Sequence, residues 1–242
     1  MRIGTWNLSY AMGAAKNALR RRILEEADCD VWVLTETHDA VDLGPTHEPV
    51  HAAPRPDRRA GERWVTIWTR FPVRARPATA DPERTAAAVL AAPSGDLLVF
   101  GTVLPWHSDR GRAPPGVPVR NWSEHHRVIP EQGREWQALR NAWPDAALVV
   151  AGDLNTDLGG AHYYGTRQGR AALEKAMCGC GLACATRTPL VPPGRLAHPP
   201  IDHVLVPEGW AERTQVCAAW EGRRDGAVLS DHSGIAVSVS GP

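Results

Sequence analysis

Short apolar runs recur along the chain, at residues 2–6, 30–35, 64–69, 85–91, 97–104, 147–151, 201–206 and 234–239. Their shortness and β-branched content predict strands, because such side chains pack well on a pleated surface. Between the first two runs the period changes. Over 16–27, Leu19, Ile23, Leu24 and Ala27 recur at helical spacing while Arg20, Arg21, Arg22, Glu25 and Glu26 face elsewhere, which predicts an amphipathic helix covering a sheet. A second helix is expected over 132–142, with Trp136 and Leu139 inward, and a third over 170–177, ended by Gly179 and Gly181. Strands therefore outnumber helices, and most consecutive strands have no helix between them. Two stretches, 44–61 and 105–130, carry proline, glycine, arginine and histidine without a period and are expected to be long loops.

Polar residues cluster where these runs end: Thr5-Trp6-Asn7, Thr35-Glu36-Thr37, Gly152-Asp153-Leu154-Asn155, Asp202-His203 and Ser230-Asp231-His232. Strand ends are where a rigid scaffold presents chemistry. Residues two apart on an extended chain share a face, so Asp153 and Asn155 can point into one cavity. The first can orient or polarise a water, and the second can donate hydrogen bonds to a phosphate oxygen. Asp231 beside His232 suits a metal ligand next to a general base. Taken singly, each motif also reads as an ordinary strand-to-loop turn; five in one chain change the picture. His203, next to Asp202, should point to the opposite face and be structural, while His38, His125 and His126 read as loop residues.

Composition narrows the partners. Lysine plus arginine total 27 and aspartate plus glutamate 27, so no overall positive field draws in nucleic acid or membrane from a distance. Phosphate recognition has to be local. Arg55, Arg58 and Arg59 in one long loop, and Arg110, Arg112, Arg120 and Arg127 in the other, are either grips on a phosphodiester backbone or simply solvated loop charge. Of the 10 tryptophans, Trp6, Trp32, Trp64 and Trp68 lie inside strand-like runs and read as core filling. The 5 cysteines are an odd number in a chain too large to need disulfide staples, which points to a reducing compartment. Cys178, Cys180 and Cys184 lack the paired spacing of a structural zinc site and read as thiols at a helix end. No apolar run approaches a membrane span and Met1 leads straight into a strand, so a cytoplasmic location without a membrane partner is expected. The oligomeric state is left open.

In their order along residues 3–237, Thr5-Trp6-Asn7, Glu36 in Leu34-Thr35-Glu36-Thr37, Gly152-Asp153-Leu154-Asn155, Ile201-Asp202-His203-Val204-Leu205 and Ser230-Asp231-His232 resemble the endonuclease/exonuclease/phosphatase superfamily. The resemblance implies the deoxyribonuclease-I-like fold, an α+β, four-layer α/β/β/α sandwich of two packed, mostly antiparallel sheets flanked by helices. It implies a single domain over residues 1–242, since a site needing both Asn7 and His232 cannot be cut in two. Carried over by position, Glu36 is similar to the family's principal metal-binding carboxylate, with Asn7 beside it and Asp231 completing the site. Such oxygen ligands suit Mg2+ or Mn2+. Asp153 is similar to the residue that orients or deprotonates the attacking water, Asn155 to the phosphate-binding amide, and His232 to the catalytic imidazole, oriented by Asp202. Whether Asp153 or His232 is the base stays open.

Pro105-Trp106-His107-Ser108 resembles the histidine segment of deoxyribonuclease-I-like members, where His107 would contact the scissile phosphate or protonate the leaving group. Glu62, ahead of a strand ending at Arg70, resembles that histidine's carboxylate partner. Arg70 and Arg110 join His107 and Asn155 as candidate substrate contacts. Departures from subfamily patterns count too. Leu104–Ser108 lacks the tyrosine-proline-asparagine of abasic-site enzymes, and His203 replaces the arginine expected of inositol-polyphosphate 5-phosphatases. Lipid phosphodiesterases usually bring an export signal and apolar insertions, neither visible here. The expectation is a divalent-metal-dependent phosphodiesterase working by in-line water attack, with a nuclease acting on DNA or RNA as the leading reading. A hydrolase of small-molecule or lipid phosphoesters is the alternative. A catalytically inactive binding module of the same fold is the reading from a different class.

Overall fold

The computed structural model describes residues 1–44, 46–55, 58–160 and 162–241. Each predicted apolar run forms a strand. The strands are β1 (Arg2–Asn7), β2 (Val31–His38), β3 (Glu48–His51), β4 (Glu62–Thr69), β5 (Val73–Ala75), β6 (Thr85–Ala92) and β7 (Gly95–Val103). They continue with β8 (Ala147–Asp153), β9 (Leu182–Cys184), β10 (Asp202–Pro207), β11 (Thr214–Trp220), β12 (Arg223–Arg224), β13 (Ala227–Val228) and β14 (Gly234–Val239). The helices are α1 (Ala14–Ala27), α2 (Ser123–Ala142) and α3 (Arg167–Gly179).

Two mixed, six-stranded sheets result, in the orders β11-β14-β1-β2-β4-β3 and β5-β6-β7-β8-β10-β9. Each has a parallel pair at its centre, β1 with β2 and β7 with β8; the other pairs are antiparallel. A parallel pair needs a crossover, and α1 and α2 supply them, each on the outer face of its own sheet. Side-chain alternation then builds four layers. In β2, Val31 and Val33 face the second sheet while Trp32 and Leu34 pack with Ile23 and Leu24 of α1. In β7, Leu97 and Val99 face the first sheet while Leu98 and Phe100 pack against Trp136 of α2 and Leu173 of α3. Strands buried on both faces explain why the runs read as continuously apolar. The four-layer α/β/β/α sandwich is the expected fold.

Some local expectations need correction. The stretch 44–61 contains β3, an edge strand whose Pro49 is tolerated where an inward N–H is not required; positions 45, 56 and 57 of it lie outside the described residues. The stretch 105–130 gives way to α2 at Ser123, well before the expected start, and the helix runs through Pro130. His125 and His126 are thus helical, and His38 ends β2. Arg20 does not face solvent: it is 2% exposed, donating to the carbonyls of Leu229 and Met12. His203 is buried and bonded to Thr156 O, the structural role expected of it. Trp6, Trp32, Trp64 and Trp68 are all buried. Among the described residues, no helix is long and apolar enough to cross a membrane.

Candidate active site

The two central parallel pairs bring their C-terminal ends to the same rim of the sandwich. There β1 ends in Asn7, β2 nears its end at Glu36, and β8 ends in Asp153. The antiparallel partner β10 begins at Asp202, directly opposite Asp153 in the ladder. His232 comes from the turn entering β14, which is hydrogen-bonded to β1. Topology therefore gathers residues separated by more than two hundred positions in sequence.

Local geometry sets each side chain. Gly152 sits at φ 135°, and a Cβ there would lie 2.0 Å from Thr102 O, so only glycine lets the strand turn Asp153 into the rim. Asp153 Oδ1 accepts from the Asn155 backbone N–H at 2.9 Å, and Oδ2 accepts from Asn7 Nδ2 at 3.1 Å. Asn155, at φ 47°, donates Nδ2–H to Leu104 O at 2.9 Å. Glu36 has φ 43°; the β2–β4 ladder pairs Thr35 with Val65 and resumes at Thr37 with Arg63, leaving Glu36 kinked out between them. His232 Nδ1 lies 2.6 Å from Asp202 Oδ2, and its Nε2 lies 4.0 Å from Asp153 Oδ2. Its backbone is pinned as well: Trp6 Nε1–H donates to His232 O at 3.1 Å, and His232 N–H donates to Ser230 Oγ at 3.0 Å.

Burial makes this cluster electrostatically tense. Desolvation raises the Asp153 pKa, with Asp202 and Glu36 adding to the rise and His232 opposing it. Desolvation likewise raises Glu36, against a hydrogen bond from Asn7. For His232, burial favours the neutral ring, but the charges of Asp202 and Asp153 outweigh it and raise its pKa. Among the described residues, Glu36, Asp153, Asp202 and Asp231 form no ion pair with lysine or arginine; the nearby cationic group is His232. Among the described residues, the buried Asp202 Oδ1 has no hydrogen-bond partner. Carboxylate oxygens crowded in this way fit a hard divalent cation. One compact set, Asp153, Asp202 and His232, has ligand atoms within 4.8 Å of one another. Glu36 and Asn7 flank it, whereas Asp231 is exposed at the rim and accepts from Ser9 Oγ.

The remaining candidates divide. His107 is exposed on the segment after β7, its carbonyl accepting from Trp122 N–H at 2.8 Å and its ring 6.1 Å from the Trp122 ring. Glu62 lies at the same rim, opposite His38 in the ladder, but its carboxylate takes Arg59 Nε–H at 2.7 Å instead of pairing with His107. Arg70 is misplaced by sequence. β4 runs antiparallel to β2, so Arg70 follows the far end of β4 and pairs with Asp28 at 2.5 Å and Asp30 at 3.7 Å. At about 3.3 Å per residue, that end of β4 is roughly 20 Å or more from the rim. Arg110 lines a neighbouring cleft of about 1080 Å³, yet its guanidinium donates to Pro114 O and Val117 O of its own loop.

Sequence reasoning missed several supports. Tyr10, whose pKa is raised by burial and then by the Glu36 charge, borders the acidic cluster. Tyr164, raised by burial and then by Asp153, borders it from the other side. Arg20 and Ser230 hold the turn that carries His232: Arg20 through Leu229 O, and Ser230 by donating to Asn7 O at 2.6 Å.

The chain belongs to the Endonuclease/Exonuclease/phosphatase family, whose model matches residues 4–232. Members are phosphoester hydrolases and generally depend on divalent metals. No curated protein matches the sequence significantly. Among solved structures, the fold is similar to a 3′ phosphatase from Neisseria, at 16% identity and a TM-score of 0.68, covering 99% of both chains. It is similar to a mannosyl-6-phosphatase from Bacteroides thetaiotaomicron at 13% identity and a TM-score of 0.69, again over 99% of both. A sphingomyelinase C from Streptomyces griseocarneus matches at 20% identity and a TM-score of 0.61, over 99% of both.

Proposed function

We propose that this chain is a divalent-metal-dependent phosphodiesterase acting by in-line attack of water, with nucleic acid as its substrate. The observation that carries the reading is the convergence of Asp153, His232 and Asp202 at one buried point, with Asn155 hydrogen-bonded into the same loop. Phosphoester cleavage builds negative charge on the non-bridging and leaving oxygens, so fixed donors lower the barrier. Asp202 holds the His232 ring by its Nδ1–H, leaving Nε2 to face the reaction centre. Asp153, with its pKa raised by burial, orients the attacking water and takes its proton; the protonated His232 stabilises the charge opposite. Asn155 steadies the phosphate, and His107 serves the leaving-group side. Glu36 and Asn7, with Asp231 at the rim, would hold Mg2+ or Mn2+, which supplies Lewis-acid polarisation of the phosphoryl oxygen when bound.

Support for nucleic acid comes from the adjoining cleft, where Arg55, Arg58, Arg84 and Arg112 lie beside Trp64 and Trp106. The similar Neisseria 3′ phosphatase holds a product DNA hairpin. A small-molecule or lipid phosphoester is the second reading, favoured by one observation: the cleft is lined by as many carboxylates as guanidiniums. The deciding test is one panel of single- and double-stranded DNA, RNA, nucleotides, inositol phosphates and sphingomyelin with each metal. Turnover of DNA or RNA supports the proposal, and turnover confined to the other substrates replaces it with the second reading.

A further inference from the structure

Two buried imidazoles outside the catalytic cluster hold one residue through different atoms. Thr156 follows Asn155 and is fully buried. His203 Nε2 lies 3.0 Å from its carbonyl, and His125 Nε2 lies 3.0 Å from its hydroxyl. His125 makes a second bond, Nδ1 to Pro105 O at 2.6 Å. A carbonyl only accepts, so Nδ1 carries a proton, and in the neutral ring that burial favours Nε2 is bare and accepts from Thr156 Oγ1–H. One neutral ring, in a single tautomer, thus joins Pro105 to Thr156.

Both ends of that link matter. Pro105 leads to Trp106 and His107, and the residue before it, Leu104, receives the Asn155 side chain. Thr156 continues from Asn155, whose φ of 47° lies in the left-handed region that asparagine adopts more readily than most side chains, so the chain turns sharply there. The first turn of α2 holds the His107 segment twice, through Trp122 N–H to His107 O and through His125 to Pro105 O. The ring has little room to swivel: Trp122 packs edge-on at 5.1 Å, and a Cβ at Gly169 would stand 2.9 Å from its Cδ2.

We infer that His125 is a positioning residue that fixes the distance between the two phosphate-side groups, Asn155 and His107, by tying Pro105 to the Thr156 hydroxyl. This rests on the phosphodiesterase reading above for what those two groups do. The metal side of the site, Glu36 and Asn7, hangs on β1 and β2 and is not tethered by this link. A loosened clamp should therefore cost turnover and leave metal activation alone.

The test uses the full chain with Mg2+ and bis(p-nitrophenyl) phosphate, a chromogenic phosphodiester, or whichever panel substrate it turns over best. Thr156→Val keeps the shape and removes the hydroxyl; kcat should fall roughly 10- to 100-fold with KM and the Mg2+ activation midpoint unchanged, as expected for misplaced transition-state contacts. Thr156→Ser keeps the hydroxyl and should keep the wild-type kcat. His125→Ala should fall at least as far as Thr156→Val, and the double variant no further than His125→Ala, because both changes cut the same link. Wild-type kcat in Thr156→Val, equal losses in the valine and serine variants, or a loss expressed in Mg2+ activation would overturn the inference. Should the wild type turn over none of the phosphoesters, the functional reading falls and the clamp is judged by amide exchange instead. Thr156→Val must then speed exchange at Leu104 and residues 154–157 while β1 and β2 stay protected; unchanged exchange there overturns it.

Discussion

The rim where the two sheets meet and the opposite end of the first sheet house acidic side chains in opposite ways. At the end away from the rim, Asp28 and Asp30 meet Arg2 and Arg70: Arg70 reaches Asp28 at 2.5 Å, and the Arg2 N–H donates to Asp30 at 2.8 Å. The Arg70 hydrogen bond holds the Asp28 carboxyl below its ordinary range. At the rim, Glu36 and Asp153 are pushed above theirs, chiefly by burial. Asp28 and Asp30 lie just ahead of β2 and Glu36 lies within it, so the difference rests on what stands opposite each carboxylate. Arginine satisfies one end within the chain. At the rim, Glu36 and Asp153 meet no lysine or arginine ion-pair partner among the described residues, and they face His232 and, on the proposed reading, an external cation.

The sharpest way to break that contrast is Asp153→Asn. If the rim is a reaction centre, kcat should fall about 1000-fold or more, equivalent to about 4 kcal/mol of transition-state stabilisation. Folding should survive, because the change removes a buried charge that Asp202 and Glu36 repel. A variant within tenfold of wild type would end the assignment of Asp153.

His125 shows a third way to house an ionisable group, buried and neutral with no carboxylate paired to it among the described residues. Burial pushes its pKa from 6.5 down to about 4. The unfolded ring therefore binds a proton at a higher pH than the folded one. The stability this represents is complete above 6.5 and is lost as pH falls toward 4, amounting to about 3 kcal/mol over that interval. Urea unfolding of the wild type should weaken accordingly across this window, whereas His125→Gln should show a flatter acid limb. Equal slopes in the two proteins would contradict the neutral, clamped ring.

A smaller effect separates the ends by their need for a cation. Adding Mg2+ or Mn2+ at 100 times its dissociation constant should stabilise the fold by about 2.7 kcal/mol if it binds only the native state. EDTA should abolish turnover, and either metal should restore it. Glu36→Gln should blunt the thermal shift while Asp28→Asn leaves it whole; a shift that survives Glu36→Gln unchanged would move the cation elsewhere.

What the sequence disclosed follows from the same contrast. Asn7, Asp153, Asp202 and His232 were legible because a carboxylate, amide or imidazole at the start or end of an apolar strand is a local pattern, and the sheet topology then gathers them. Glu62 was legible in place but not in partner, reaching the rim yet pairing with Arg59, and Arg70 was not legible at all. Which end of a strand reaches the rim depends on its direction in the sheet, and β4 is reversed relative to β2. Arg20 shows another limit: on a helix it occupies a buried position that periodicity assigns to solvent, because its long stem lets the guanidinium find the carbonyls of Leu229 and Met12. His125 was hidden by Pro130, which suggests a helix break where the structure carries α2 on to Ala142. Short strands such as β3 and β9 give too few residues for a period to show.

The mildest test concerns the satisfied end. Arg70→Ala removes an ion pair whose side chains are 34% and 55% exposed, a setting where solvent screening keeps such contacts below about 1 kcal/mol. The Asp28 carboxyl, held below its ordinary value by Arg70, contributes stability above that value and loses it as pH falls through the lowered one. The variant should therefore differ from wild type by a small amount at neutral pH and low salt, and by less in high salt or strong acid. Its kcat, KM and Mg2+ activation should match wild type, because Arg70 stands at the far end of β4 from Asp153. A clear rise in KM would return Arg70 to the substrate-binding role that its place in sequence suggests, and would require the substrate to extend along the whole length of the sheet.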